Sequence, residues 1–151
     1  EGLRSRLDCN SEGTFVWESK QTGEIVGVLF TVTGGPIETL GEIEYSTIYE
    51  TVHNPNGSVS YWIHLVVNPT HRAKLDVLHQ QAKEFVFGAG QVDSIVALTH
   101  CTGFVSPGSV NLENVEMVCK LQDKYASTSL KHDRNLFFHS SRGAHIKGVI
   151  W

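Results

Sequence analysis

Short apolar runs separated by turn residues dominate the first half of the chain. The runs at 15–17 and 25–32 flank the turn residues at 21–24, a pattern typical of a β-hairpin. The run at 58–67 is long, rich in β-branched and aromatic residues and largely apolar. It predicts a buried strand that stops before Pro69.

A helical period begins directly after this strand. Apolar residues recur there at three- and four-residue spacing and predict an amphipathic helix over 70–87, with Thr70 as its N-cap and Gly88 as its end. The residues of this apolar stripe are Leu75, Leu78, Ala82 and Phe85.

The second half of the chain alternates between the two patterns. Strands are predicted at 92–98 and 146–151. Between them lie a helix over 112–125, capped by Asn111, and a short helix that begins at Asp133. The resulting order is β-β-(irregular)-β-α-β-α-α-β, which predicts an α/β fold with helices packed against a mixed sheet.

Composition narrows the class of protein. The chain has 151 residues, the size of one domain, and 40% are hydrophobic, which is enough for one core. The net charge of −4 gives no basic surface for nucleic acid, and no apolar run approaches the length of a membrane span. Three cysteines cannot all pair, which favours a reducing, cytoplasmic location. Because the chain starts at Glu1 and stops at Trp151 inside an apolar run, we interpret residues 1–151 as a single domain excised from a larger multidomain protein.

The junction between the central strand and the following helix is a candidate anion site. The first amides of a helix lack intrahelical partners and attract anions. Arg72 lies in that first turn beside His71 and is suited to a charge-assisted contact with a phosphate. The alternative is that both are solvated first-turn residues.

Two further residues could carry chemistry. The hydroxyl of Thr99, at a strand end, can donate to a substrate oxygen, or it can simply bond its own backbone. His139 is a natural proton donor near neutral pH, although a histidine in an apolar segment is more often a structural residue. His100 and Cys101 point to opposite sides of an extended chain and therefore do not form a nucleophile pair. No Cys or His spacing matches a metal site.

Six segments carry a resemblance to a known family. Their residue numbers are 11–16, 23–29, 53–59, 66–69, 97–101 and 133–146. The most specific is a Phe-His motif, Phe138-His139, which is followed by Gly143-Ala144 and comes after Thr99. In this order the segments resemble the GNAT-like domains found in the loading regions of modular polyketide synthases, over nearly the whole chain.

The resemblance implies a fold and an activity. The fold would be a mixed, splayed GNAT-like central sheet with helices on both faces. The activity would be decarboxylation of a malonyl-type acyl thioester, acyl transfer to an acyl carrier protein, or both, in polyketide chain initiation. The functional pair of the family falls on Thr99 and His139. The substrate would be a thioester of coenzyme A or phosphopantetheine, and no metal is implied.

The implied coenzyme A site includes four residues and departs from the family pattern. The four residues are Val67, His71, Arg72 and Ala73. Leu75 and Val77, together with Ala73, stand where the family has glycines that admit the pyrophosphate, so a weak coenzyme A site is expected. Arg142 replaces a second histidine of the Phe-His motif.

Two other functions stay open at this point. One is an acetyl-CoA-dependent N-acetyltransferase, which the missing glycines oppose. The other is a catalytically degenerate GNAT-like domain that serves as a structural or docking unit, which the missing glycines favour but Thr99 and His139 oppose. The sequence leaves open which acyl group is used and whether coenzyme A or a carrier protein presents it.

Overall fold

A computed structural model describes residues 13–36, 47–106, 108 and 113–147. The described residues form two compact units. Among the described residues, the first unit contains 13–36 and 52–98, and the second contains 47–51 and those from Thr99 onward. Organisation as one domain stays a prediction.

The first unit is built on a four-stranded sheet. Its strands are β1 (Thr14–Glu18), β2 (Ile25–Gly34), β3 (Val59–Val67) and β4 (Ser94–Ala97), in the spatial order β1-β2-β3-β4. The first two pairs are antiparallel and β3–β4 is parallel, so the predicted mixed sheet is confirmed and it is open. The predicted hairpin is β1–β2, whose turn is closed by the Ser19 amide bonding the Glu24 carbonyl at 2.8 Å.

The sheet splays along β3. This strand pairs with β2 as far as Val67, whereas its register with β4 runs only from Val59 to Trp62. One further bond, from the Leu98 amide to the Trp62 carbonyl at 2.9 Å, follows the last pair. The C-terminal half of β3 thus lacks a parallel partner among the described strands, as the predicted splay requires.

The chain leaves β3 through a 3₁₀ turn, Pro69–Lys74, which continues into helix α2 (Leu75–Gly88). A short helix α1 (Ile48–Val52) precedes β3. The prediction that Thr70 caps the helix after β3 is wrong. The cap of the 3₁₀ turn is Asn68, whose side chain accepts from the Thr70 amide at 3.1 Å. Proline at the next position has no amide of its own, so the Asn68 oxygen is free to reach the second residue of the turn.

Helix α2 packs one apolar face on the sheet. The core contains Leu29 and Trp62 from the sheet, with Ala82 and Val86 from the helix. The prediction that Phe85 belongs to this face is wrong, because its side chain is 65% exposed. Its ring meets the Phe15 ring edge-on, with centroids 5.1 Å apart, at the flank of the core.

The second unit contains two further helices, α3 (Val115–Thr128) and α4 (Arg134–Ser140). Helix α3 begins three residues later than predicted and has no side-chain cap from Asn114, and the predicted cap Asn111 lies outside the described residues. Asp133 caps α4 as predicted, accepting from the amides of Asn135 and Leu136. Of the predicted last strand, residues 148–151 lie outside the described residues, and 146–147 are not in a strand.

Candidate active site

Thr99 follows the parallel strand β4 along the chain. Strand β4 ends at Ala97, so Thr99 follows the strand by two residues instead of closing it as predicted. The residue is partly exposed, and its hydroxyl has no hydrogen-bond partner among the residues that the structure describes. A strand-end hydroxyl that does not bond its own backbone remains able to donate to a substrate oxygen.

His139 lies in the last turn of α4. Its ring is half-buried and meets the Phe138 ring edge-on, with centroids 5.1 Å apart. Within the described part of the chain, neither ring nitrogen has a hydrogen-bond partner. Burial lowers the pKa of His139 below its ordinary value of 6.5 because the interior disfavours the imidazolium. An imidazole with this exposure and no protein partner is available to exchange a proton with a bound substrate.

Arg142, at the position of the second histidine of the Phe-His motif, turns back onto the helix. Its guanidinium carbon lies 3.7 Å from the centroid of the Phe138 ring, and one of its nitrogens donates to the Phe138 carbonyl at 2.6 Å. The guanidinium therefore stacks on the Phe138 ring, the same ring that His139 meets edge-on. This stacking holds Phe138, and it takes the place that a second ionisable imidazole would have.

The loop after Thr99 is tied to the start of α4. The carbonyl of His100 accepts from the Asn135 side-chain amide at 3.0 Å. Two residues farther on, the Thr102 hydroxyl and the Gly103 amide donate to one carboxylate oxygen of Asp133, at 3.1 and 2.9 Å. Thr99 and His139 thus belong to the same compact unit, on two segments joined by hydrogen bonds. That the two side chains face one cavity stays a prediction.

Asp133 was predicted only as a helix cap, but its carboxylate also binds the loop that follows Thr99. Burial by itself raises the pKa of this carboxyl, but the hydrogen bonds donated by Gly103, Leu136, Thr102 and Asn135 outweigh it and lower the pKa below 3.8. The carboxylate is therefore ionised at neutral pH. Its bonds to residues about thirty positions away have no signal in the sequence; only the capping bonds are local.

Cys101 is not arranged as a nucleophile. Burial raises the pKa of its thiol above the ordinary value, with a further increase from the nearby negative charge of Asp133. A thiol with a raised pKa is almost entirely protonated at neutral pH, and the thiolate is the reactive form. The same reasoning applies to Cys119, whose pKa burial also raises.

The predicted coenzyme A segment belongs to the first compact unit. Val67 closes β3 opposite Gly27, whereas Arg72 and Ala73 are exposed in the 3₁₀ turn. His71 has non-helical backbone angles, φ −112° and ψ 15°. Its amide donates to the Asn68 carbonyl at 2.8 Å, as the Thr70 amide does to the Asn68 side chain. Two amides that the anion-site hypothesis takes as free are therefore already bonded.

A carboxylate from the β1–β2 turn adds negative charge to this segment. One oxygen of Glu24 accepts from the Asn68 side-chain amide at 2.8 Å, and the other lies 3.2 Å from Nε2 of His71. A phosphate placed on His71 would have to displace or approach this carboxylate. The arrangement therefore strengthens the expectation of a weak coenzyme A site, and nothing in the sequence linked Glu24 to it.

Among the residues that the structure describes, no group of three or more His, Cys, Asp or Glu side chains is arranged to hold a metal ion. No helix in that part of the chain is both long enough and apolar enough to cross a membrane.

Comparison with known proteins identifies the fold. No protein-family model matches the chain, and no curated protein does. The structure is similar to that of "GphF GNAT-like decarboxylase in complex with isobutyryl-CoA", with a TM-score of 0.68, 22% identity, and coverage of 98% of this chain and 72% of that one. The chain has the GNAT-like fold. A second similar structure is the loading GNATL domain of CurA from Lyngbya majuscula, with a TM-score of 0.68, 20% identity, and coverage of 97% and 70%. The fold predicted from the motifs is thereby confirmed.

Proposed function

We propose that this domain decarboxylates a malonyl-type acyl thioester and passes the product acyl group to an acyl carrier protein in polyketide chain initiation. The observation that carries the proposal is His139, a half-buried imidazole whose ring nitrogens have no hydrogen-bond partner among the described residues, on a helix whose cap is bonded to the loop after Thr99. The GNAT-like fold supports it, because the similar structures include a decarboxylase and a loading domain.

The reaction needs a hydrogen-bond donor for the enolate oxygen and a proton for the α-carbon. When the bond between the malonyl carboxylate and the α-carbon breaks, CO₂ leaves and the electron pair passes through the α-carbon to the thioester oxygen, giving an enolate. The Thr99 hydroxyl donates a hydrogen bond to that oxygen as its negative charge develops. The His139 imidazolium then gives its proton to the α-carbon, which yields the shortened acyl thioester and a neutral imidazole. Solvent reprotonates the imidazole before the next turnover.

Acyl transfer requires no further cofactor. The phosphopantetheine thiol of a carrier protein attacks the thioester carbonyl, the original thiol leaves, and one thioester replaces another. Coenzyme A or phosphopantetheine thus enters as part of the substrate. A cytoplasmic protein would meet both.

The decisive experiment follows the mass of a carrier protein. An acyl carrier protein charged with a malonyl group is incubated with the domain and its intact mass is recorded over time. Loss of one CO₂ at a rate above that without enzyme is expected, and retention of the malonyl mass would favour a degenerate docking domain. An acetylated amine acceptor formed from acetyl-CoA, with no decarboxylation, would point instead to an N-acetyltransferase.

Free coenzyme A is expected to bind weakly. Calorimetric titration should give little heat at concentrations that saturate a relative with glycines in the first helical turn, because the Thr70 and His71 amides are bonded and Glu24 is negative. Glu24→Gln keeps an acceptor for Asn68 but removes the charge. It should tighten binding by about 1 kcal/mol, roughly fivefold.

The matched control for this titration is Glu84→Gln. It removes an exposed carboxylate from α2, away from the Asn68 contacts, and should leave the affinity unchanged. A tight, low-micromolar complex of the wild-type domain with coenzyme A, with amide shifts near Arg72, would contradict the expectation.

A further inference from the structure

The Asp133 carboxylate makes more bonds than a helix cap needs. The side chain is only 2% exposed, and one of its oxygens accepts from the Asn135 and Leu136 amides at 3.0 and 3.1 Å, which is the usual capping pattern. The other oxygen takes no part in the cap and accepts three bonds from elsewhere. These come from the Gly103 amide at 2.9 Å, the Thr102 hydroxyl at 3.1 Å and the Tyr125 hydroxyl at 3.2 Å.

The loop that reaches Asp133 is closely fitted. A side-chain carbon added at Gly103 would overlap the Tyr125 hydroxyl, so the Tyr125 side chain would have to move to admit one. The Phe104 ring packs against the Tyr125 ring, with centroids 5.7 Å apart. The loop is therefore fixed at three consecutive residues, 102–104, which lie three to five positions after Thr99.

A second tie lies closer to Thr99. The Asn135 side chain donates to the carbonyl of His100, the residue that follows Thr99, at 3.0 Å. Asn135 is in the first turn of α4, one helical turn before His139. The loop that bears Thr99 and the helix that bears His139 are thus joined on both sides of residue 101.

We propose that Asp133 and Asn135 are positioning residues that hold the Thr99 loop in fixed register with the His139 helix. The catalytic consequence rests on the proposed function, because it concerns the spacing between the Thr99 hydroxyl, as donor to the enolate oxygen, and His139, as proton donor. The inference does not make either residue catalytic, since neither is required to touch the substrate. Small displacements of reacting groups can cost up to ~10²-fold in rate, so a tie of this kind has a kinetic effect larger than its share of stability.

Asn135→Ala is the variant that tests this role. Among the described residues, it removes just the side-chain bond to the His100 carbonyl, and the backbone amide of residue 135 still reaches Asp133, so the helix can form. We expect kcat for decarboxylation to fall about 10-fold, with KM within about twofold and an unchanged melting temperature. Asn135→Gln, which keeps an amide donor on a longer arm, should recover part of kcat.

Arg134→Ala is the matched control. It changes the neighbouring exposed residue of the same helical turn, which makes no side-chain hydrogen bond in the described part of the chain. It should leave kcat unchanged. An unchanged kcat in Asn135→Ala would overturn the inference, and so would a fall in kcat that merely accompanies a lower melting temperature.

A readout without substrate separates this inference from the proposed function. Relaxation dispersion of the Thr99 methyl group by NMR should show new exchange broadening in Asn135→Ala and none in Arg134→Ala. Absence of broadening in Asn135→Ala overturns the inference whether or not the wild-type domain decarboxylates. If the wild-type domain leaves the malonyl carrier protein intact, the proposed function fails, and the broadening alone decides whether Asn135 positions Thr99.

Discussion

Replacing His139 with alanine is expected to slow decarboxylation of a malonyl thioester by about 10²–10⁴-fold, the loss typical of a missing general acid. The half-buried ring has no hydrogen-bond partner among the described residues, so the substitution removes a proton donor without breaking a bond that the fold uses. The measurement is single-turnover loss of CO₂ from a malonyl carrier protein. Thermal unfolding of the variant should show that the fold survives.

The kcat for decarboxylation is expected to depend on pH. The imidazolium is the form that delivers the proton, so kcat should fall as pH rises through the pKa of His139. Because burial lowers that pKa, the fall should begin below the ordinary value of 6.5. The His139→Ala variant should retain a small rate that lacks this dependence.

His145 provides the matched control, since it is exposed and only six residues farther along the chain. His145→Ala should decarboxylate at the wild-type rate with the wild-type pH profile. Full activity of His139→Ala, or an unchanged pH profile in that variant, would contradict the role of His139 as proton donor.

The hairpin and the central strand could be predicted because their signals are local. The turn between β1 and β2 closes through the amide of Ser19 and places Gly23 at φ +69°, a conformation that glycine adopts without strain. The run that became β3 is buried along 59–63, where every residue but Ser60 is apolar. Asp133 was predictable as a cap for the same reason, since its capping bonds reach only two and three residues ahead.

The predictions of the helix cap and of the buried face of α2 were wrong where two nearby residues suit the same role. Asn68 and Thr70 are both good capping residues within three positions, and the proline between them decides in favour of Asn68. On α2, Phe85 and Val86 both continue the spacing of Ala82, and the rotation of the helix against the sheet buries Val86 instead of Phe85. That rotation depends on tertiary packing, which the period of the sequence does not encode.

The candidate site was predictable in its residues but not in its connections. Thr99 and His139 were selected by chemistry and by resemblance, and the structure places both in one compact unit. The bonds that join their segments span about thirty residues, from Gly103 to Asp133 and from His100 to Asn135. Such pairings follow from how the loop folds against the helix, so the sequence alone offers no spacing that would reveal them.

Replacing Thr99 with valine is the second change expected to have a large effect. Valine has nearly the same shape but no hydroxyl, so the variant isolates the hydrogen bond to the developing enolate oxygen. Loss of one such donor typically costs ~10²–10³-fold in kcat, comparable to or less than the loss of the proton donor. Steady-state kinetics on a malonyl thioester measure it, and KM should change little because the bond forms mainly in the transition state.

Serine at position 99 distinguishes the hydroxyl from the methyl group. Thr99→Ser keeps the donor and should retain most of the activity, whereas Thr99→Val should not. Since the hydroxyl has no hydrogen-bond partner among the described residues, neither variant should lower the melting temperature appreciably. Equal activity of the valine and wild-type proteins would remove Thr99 from the mechanism. A rise in KM with an unchanged kcat in the valine variant would instead assign the hydroxyl to ground-state binding, because a bond made equally in both states does not affect kcat.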